Sequence, residues 1–206
     1  MIVQSCPFPS GGDLSEFPLV ARATTIEGGT IPLLGLDLTD YQSIFVAIDG
    51  VRVSVVNTQI GLRVSVDGAL RASGYRYLKN AVDSSSTTVG SYYSQGGDRA
   101  LLSTNVTNAG SHSASWGVLI SDNDPSLFKN MIFEEARMIS NAPGTATYRG
   151  IGCATLEVAG TIDGFHLIPD STGVITEGSL AVYGVKKSAR TAGAVALASM
   201  WVGALS

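Results

Sequence analysis

The sequence predicts an all-β protein, a sandwich or barrel. Three observations point there. Short segments with the two-residue alternation of a strand recur along the chain, with turn signals roughly every ten residues. The stretch from Thr161 to Lys187 reads as two strands joined by Pro169-Asp170-Ser171-Thr172-Gly173, and both faces of the first carry apolar residues, so it is expected to be covered on both sides. No alternation of strands with helices supports a parallel, doubly wound sheet.

Taken in order, residues 1–17 are rich in Pro, Gly and Ser and suit an irregular N-terminal arm. Pro7, Pro9 and Pro18 each lack a ladder donor. Gly28-Gly29 marks a turn, and Ile31 to Leu38 looks extended. Tyr41 to Ile48 is rich in β-branched and aromatic residues, and Asp49-Gly50 is expected to close that strand with a turn. Val51–Val55 and Leu62–Val66 alternate at the strand period, and Asp67-Gly68 marks another turn. Tyr75 to Leu78 is a short strand, and Ser84 to Ser91 a polar loop by composition, followed by Tyr92, Tyr93 and Gly96-Gly97. Trp116 to Ile120 is a strand and Asp122-Asn123-Asp124-Pro125 a turn.

Residues 126–140 fit two patterns. Leu127, Met131, Ile132, Ala136 and Ile139 suit a helical face, whereas Met131, Phe133 and Glu135 suit a strand; the surrounding pattern favours the strand. Tyr148 to Val158 is a strand in which Gly150 and Gly152 predict a bulge or a close backbone approach. In the closing hairpin, Ile162, Gly164, His166 and Ile168 are expected on one face, and Asp163, Phe165 and Leu167 on the other.

Composition narrows the function. The 206 residues suffice for one full core. Charged residues make up 15%, against about 25% in an average domain, and this low charge points to surface covered by partners rather than to a larger monomeric core. Net charge is −4, and no basic run exceeds Lys186-Lys187, which argues against direct nucleic-acid binding. Cys6 and Cys153 are read as two unpaired thiols. The N-terminus has no positive n-region or long apolar h-region and is not expected to act as a signal peptide. Thr191 to Ser206 carries no charged side chain but is shorter than the roughly 20 residues of a membrane span. Its apolar residues Val195, Leu197, Met200, Trp201, Val202 and Leu205 suit a final packed element or an arm docked on a neighbouring subunit.

Enzymatic signatures are missing. His112 and His166 are the two histidines, and no Gly-x-Ser-x-Gly elbow, P-loop or dinucleotide fingerprint appears. No cofactor is expected. Asp122, Asn123 and Asp124 offer oxygens that calcium can use, but Asp-Asn-Asp-Pro is also an ordinary turn, the preferred reading. Glu134 and Glu135 face opposite sides of a strand and cannot act as a paired acid and base; either with Arg137 is expected to form a surface ion pair. Tyr75, Tyr77, Tyr92 and Tyr93, with Trp116, would form a sugar-stacking platform if they share an exposed face; such residues equally suit interfaces.

Three segments taken together carry a resemblance. They are Leu62–Gly68 running on through Ser73–Tyr77; Gly117–Ser121 with Asn123-Asp124-Pro125; and Ile162–Ile168 continuing through Gly178-Ser179-Leu180 to Tyr183-Gly184-Val185. In order and spacing they resemble the jelly-roll structural proteins of tailed bacteriophages. Ala69 replaces a second glycine usual there, and Ala181-Val182 precedes Tyr183 where leucine is usual.

The resemblance implies a two-sheet antiparallel jelly-roll sandwich, a homotrimer, and a place on the virion as a capsid decoration or cement protein. It implies the major capsid protein or other virion structural proteins as partners, and no enzymatic activity. The organisation expected is an arm over 1–30, a jelly-roll domain over 31–187 and an apolar tail over 188–206. The compact domain favours the decoration role. The alternative is a tail, neck or head-fibre protein that binds a host surface glycan through loops such as 84–99.

Overall fold

The computed structural model describes residues 17–83, 90–106, 113–141 and 144–186. The N-terminal arm to residue 16, Cys6, residues 84–89 of the polar loop, His112 and the tail from Lys187 onward lie outside the described residues.

Among the described residues there are thirteen strands and no helix. They are β1 (Leu19–Ala23), β2 (Ile31–Leu34), β3 (Tyr41–Val53), β4 (Thr58–Val66), β5 (Ala69–Leu70), β6 (Tyr75–Asp83), β7 (Gly90–Gly97), β8 (Ala100–Val106), β9 (Ala114–Ile120), β10 (Lys129–Asn141), β11 (Gly144–Leu156), β12 (Ile162–Pro169) and β13 (Ile175–Lys186). Two antiparallel sheets form a sandwich. The large sheet has the order β1-β13-β3-β9-β10-β11-β6-β7; the small one has the order β2-β12-β4-β5, with β8 also pairing with β4. The boundary expected at residue 31 falls after β1, which pairs with β13 and so belongs to the large sheet.

Alternation explains most of the core. Ile44, Val46 and Ile48 of β3, Val118 and Ile120 of β9, and Leu180 and Val182 of β13 face Leu62, Val64 and Val66 of β4 and Phe165 and Leu167 of β12, all in one buried cluster. β10 is a strand, and Met131, Phe133 and Glu135 share its inner face.

Two expectations are overturned by bulges. Asp49-Gly50 does not reverse the chain: β3 runs straight through it, with Gly50 at φ 65° and the register to β9 shifted between Ile48 and Val51. The extra residue changes the parity of the strand, so that Ile48 and Val51 both point inward. β12 repeats the device. Its register to β4 shifts between Ile162 and Gly164, which places Ile162 in the core with Phe165 and Leu167, not on the face of His166 and Ile168. Asp67-Gly68, by contrast, is a true two-residue hairpin, with φ of 51° and 75° as a type I′ turn requires.

The glycines of β11 mark close approaches rather than a bulge, since its register to β10 is unbroken. A Cβ on Gly150 would lie 2.9 Å from Lys79 Cε, and one on Gly152 would enter the Phe133 ring. The turn at 122–125 stitches the layers together. Buried Asn123 donates from Nδ2 to the Leu38 carbonyl at 2.9 Å and accepts from Ile162 N–H at 3.3 Å. Asp122 and Asp124 accept the N–H groups of Asp124 and Ser126, an ordinary pair of Asx turns.

Candidate functional site

The two sheets differ in width, and this sets what remains exposed. β6, β7, β10 and β11 extend the large sheet beyond β9, whereas the small sheet ends at β8 and β5. The overhang has an outer face open to solvent and an inner face only partly roofed.

On the outer face, strand register aligns apolar side chains across all eight strands. Leu19 is paired with Tyr183, Tyr183 with Phe45, and Phe45 with Leu119. Leu119 is paired with Ile132, Ile132 with Cys153, Cys153 with Leu78, and Leu78 with Tyr93. Seven inter-strand steps of about 4.8 Å make this row about 34 Å long. Leu19 is 50% exposed, Ile132 44%, Leu78 48% and Tyr93 77%. Phe45 and Tyr183 are half-buried and touch, with ring centroids 6.3 Å apart. The next outward row on one side is polar: Asn130, Thr155, Arg76 and Gln95. On the other side lie Glu134, Ile151, Asn80 and Ser91, with Glu134 held by Arg149 at 2.6 Å. The apolar row is bordered by polar residues on one side over β10, β11, β6 and β7, while on the other side Ile151, Gly117, Ala47 and Ala181 interrupt the polar residues.

At the edge strand β7, the overhang and the edge of the small sheet border an open cleft of about 490 Å³, lined by Tyr77 and Tyr92 from the inner face, by Ser91 and Tyr93 from the outer face, and by Gln59, Leu101 and Thr104 from the small sheet. Tyr77 is paired with Ser94, and Lys79 with Tyr92. Tyr77 and Tyr92 are thus diagonal neighbours on one face, within mutual reach of aromatic side chains.

Behind Tyr92 the inner face is ionic. Glu135 accepts from Lys79 Nζ, and its other oxygen lies 3.1 Å from Arg137 Nε, with all three side chains at most 2% exposed. Lys79 also donates to the Leu102 carbonyl at 2.5 Å. The Arg137 guanidinium lies 3.9 Å from the centroid of the Tyr148 ring. Burial holds the Lys79 ammonium below its ordinary pKa despite the pull of Glu135, and raises that of Tyr148. The ion pair of Arg137, expected at the surface, is buried. Its partner is Glu135 in the interior, while Glu134 takes Arg149 outside, because successive strand residues face opposite sides.

Of the predicted tyrosines, Tyr77, Tyr92 and Tyr93 reach the cleft, but Tyr75 does not. Tyr75 is fully buried; its hydroxyl accepts from Val64 N–H at 2.7 Å and donates to the Arg71 carbonyl at 3.3 Å. Desolvation pushes its pKa up to about 12. It is a core residue and forms no part of an exposed recognition surface. Val195, Leu197, Met200, Trp201, Val202 and Leu205 lie outside the described residues. His166 is a packed histidine, with Nε2 2.8 Å from Thr30 Oγ1. Gln59, Leu101 and Thr104 have no sequence signal, because they join the cleft from the other sheet. Among the described residues, no cluster of three or more His, Cys, Asp or Glu is placed to hold a metal, and no helix is long and apolar enough to cross a membrane.

No protein-family model matches this chain, and comparison with curated proteins and with solved structures gives no match either.

Proposed function

We propose that this chain is a non-enzymatic structural protein of a tailed-bacteriophage virion, a jelly roll that decorates the capsid and bridges major capsid subunits. The observation that carries the assembly role is the apolar stripe across the outer face of the large sheet. A solvated surface has little reason to align eight such side chains in one row unless something covers them. The low charged fraction, 15%, agrees with a covered surface.

The strand order supports the jelly-roll reading. Without β5, the β6–β7 pair and the β10–β11 pair, eight strands remain. Numbered in chain order, they run 1-8-3-6 in the large sheet and 2-7-4-5 in the small one. This is the order reached when a long antiparallel ribbon folds over into two Greek keys. The β6–β7 and β10–β11 pairs are then insertions that meet each other and widen one sheet. The three segments that resemble phage structural proteins all contribute strands to the eight-stranded frame, and the resemblance adds a homotrimeric state to the proposal.

The test is reconstitution. Capsids lacking this protein are incubated with the purified chain and imaged by electron cryomicroscopy. Density on the head lattice, lost with Ile132→Glu, is the expected result. Density confined to the neck or tail tip would replace decoration by a fibre role, and full occupancy by Ile132→Glu would remove the stripe from the interface.

A further inference from the structure

We propose that β7 is a self-association edge: it pairs antiparallel with the β7 of a second copy about a twofold axis at Tyr93, so that two large sheets become one. This goes beyond the proposed assembly role and does not rest on it, because the contact uses a strand edge and leaves the face of the sheet free. A twofold contact cannot close a trimer, so in a trimeric protein it joins copies from two trimers.

Sheet edges carry unpaired N–H and C=O groups, and proteins protect them with shortness, proline, charge, bulges or a cover. The other edges of this sandwich are protected. β1 has five residues, follows Pro18, carries Arg22 and breaks register with β13 between Leu19 and Ala21. β2 has four residues, one of them Pro32, and β5 has two. Residues 100–104 of β8 are each at most 8% exposed. β7 lacks these devices. It is eight residues long and carries neither a charged residue nor a proline. Its register to β6 is unbroken from Gly90 to Gln95, and among the described residues no strand pairs with its other side.

A second observation is the room beside this edge. The cleft of about 490 Å³ is lined by Tyr92 from the inner face of β7 and by Ser91 and Tyr93 from its outer face. A cleft that meets both faces of one strand lies along its free edge, where an added strand would run.

The residues of β7 select a second copy as that strand. Directly opposed residues of an antiparallel pair share a face, and a twofold axis perpendicular to the sheet keeps inner with inner and outer with outer. With the axis at Tyr93, Tyr93 meets its own copy, Ser91 meets Gln95 of the second copy, and Tyr92 meets Ser94 of the second copy. No like charges are opposed, and Tyr93, 77% exposed in the single chain, gains an aromatic cross-strand partner. Tyr93 also ends the apolar row of the outer face. This register therefore sets two rows end to end across sixteen strands, fifteen steps of about 4.8 Å, or about 72 Å. Moving the axis to Tyr92 or Ser94 puts Tyr93 opposite Ser91 or Gln95 and breaks the row.

The test is the oligomeric state of the full chain by sedimentation velocity. An even-numbered assembly, a dimer or a pair of trimers, is expected. Tyr93→Lys sets two ammonium groups face to face at the axis and should halve the sedimenting mass. Its unfolding midpoint should stay that of the parent, because the side chain is exposed. Tyr93→Phe should keep the assembly. In a Cys6→Ser, Cys153→Ser background, Tyr93→Cys should form a disulfide between copies on mild oxidation. Ser91→Cys should not, since its two copies lie four residues apart along the pair, about 14 Å. Amide exchange reads the edge itself: β7 protected in the assembly and released by Tyr93→Lys is the expected pattern. A chain that is only monomeric or trimeric, an assembly unaffected by Tyr93→Lys, or cross-linking at Ser91 equal to that at Tyr93 would each overturn the proposal. So would β7 amides protected in a chain that does not self-associate, since another segment of the same chain would then fill the edge.

Discussion

Glu135 neutralises two buried cations, so its removal should cost more than the removal of Lys79. In Lys79→Met the aliphatic stem is kept and the Glu135–Arg137 contact at 3.1 Å survives, leaving a net-neutral interior. The losses are the Lys79 bonds to Glu135 and to the Leu102 carbonyl, which belong at the low end of broken buried pairs, about 3 kcal/mol. Glu135→Gln instead leaves two cations, each at most 2% exposed, without a counter-charge, and belongs at the high end, about 5 kcal/mol. The pH dependence separates the two. Burial already holds the folded pKa of Lys79 below its unfolded 10.5, and Glu135 opposes that shift. Without Glu135 the folded pKa drops further, and between it and 10.5 the unfolded chain binds more protons than the folded one. The stability of Glu135→Gln should therefore rise as pH increases through that window. Urea unfolding followed by the fluorescence of buried Trp116, at pH 7 and pH 9, measures both effects. The reasoning is wrong if Lys79→Met costs as much as Glu135→Gln, or if Glu135→Gln gains nothing from alkali.

Other outcomes follow from single contacts. Tyr75→Phe strands the Val64 N–H and the Arg71 carbonyl and should cost about 1–3 kcal/mol in chemical denaturation, whereas Tyr92→Phe should cost almost nothing. Gly152→Ala drives a methyl group into the buried Phe133 ring and should destabilise by about 1–3 kcal/mol; a neutral result would mean that the ring has room to move. His166 is held below 6.5, chiefly by burial and further by Arg63, so its contribution is complete above 6.5 and is lost as pH falls from there through its lowered folded value. Thermal unfolding from pH 7.5 to 5 should show that loss, and His166→Gln should flatten it.

The all-β class and most strands were legible because strand alternation and turn chemistry are local. Asp67-Gly68 tolerates two positive φ angles, and the chain turns there. Asp49-Gly50 has the same chemistry, yet β3 continues, because β13 and β9 pair with it on both sides of the bulge. A dipeptide states which backbone angles are affordable; the neighbouring strands decide whether the chain reverses.

The candidate surfaces divide in the same way. That Ile132 and Leu78 face away from the core follows from their own strands. That they stand in one row with Tyr93 and Phe45 follows only from register, which joins residues far apart in the chain. Tyr75 and Tyr77 share a face of β6, and nothing local distinguishes them. Tyr75 is sealed beneath the small sheet by its bond to Val64, while Tyr77 lines the cleft at that sheet's edge. The sequence by itself determined which side a residue takes wherever its strand is regular, a matter of backbone geometry within a few residues; at the bulges of β3 and β12 the partner strands decided it. Only the tertiary structure decided which of those sides is covered, because coverage depends on the unequal width of two sheets assembled from distant segments.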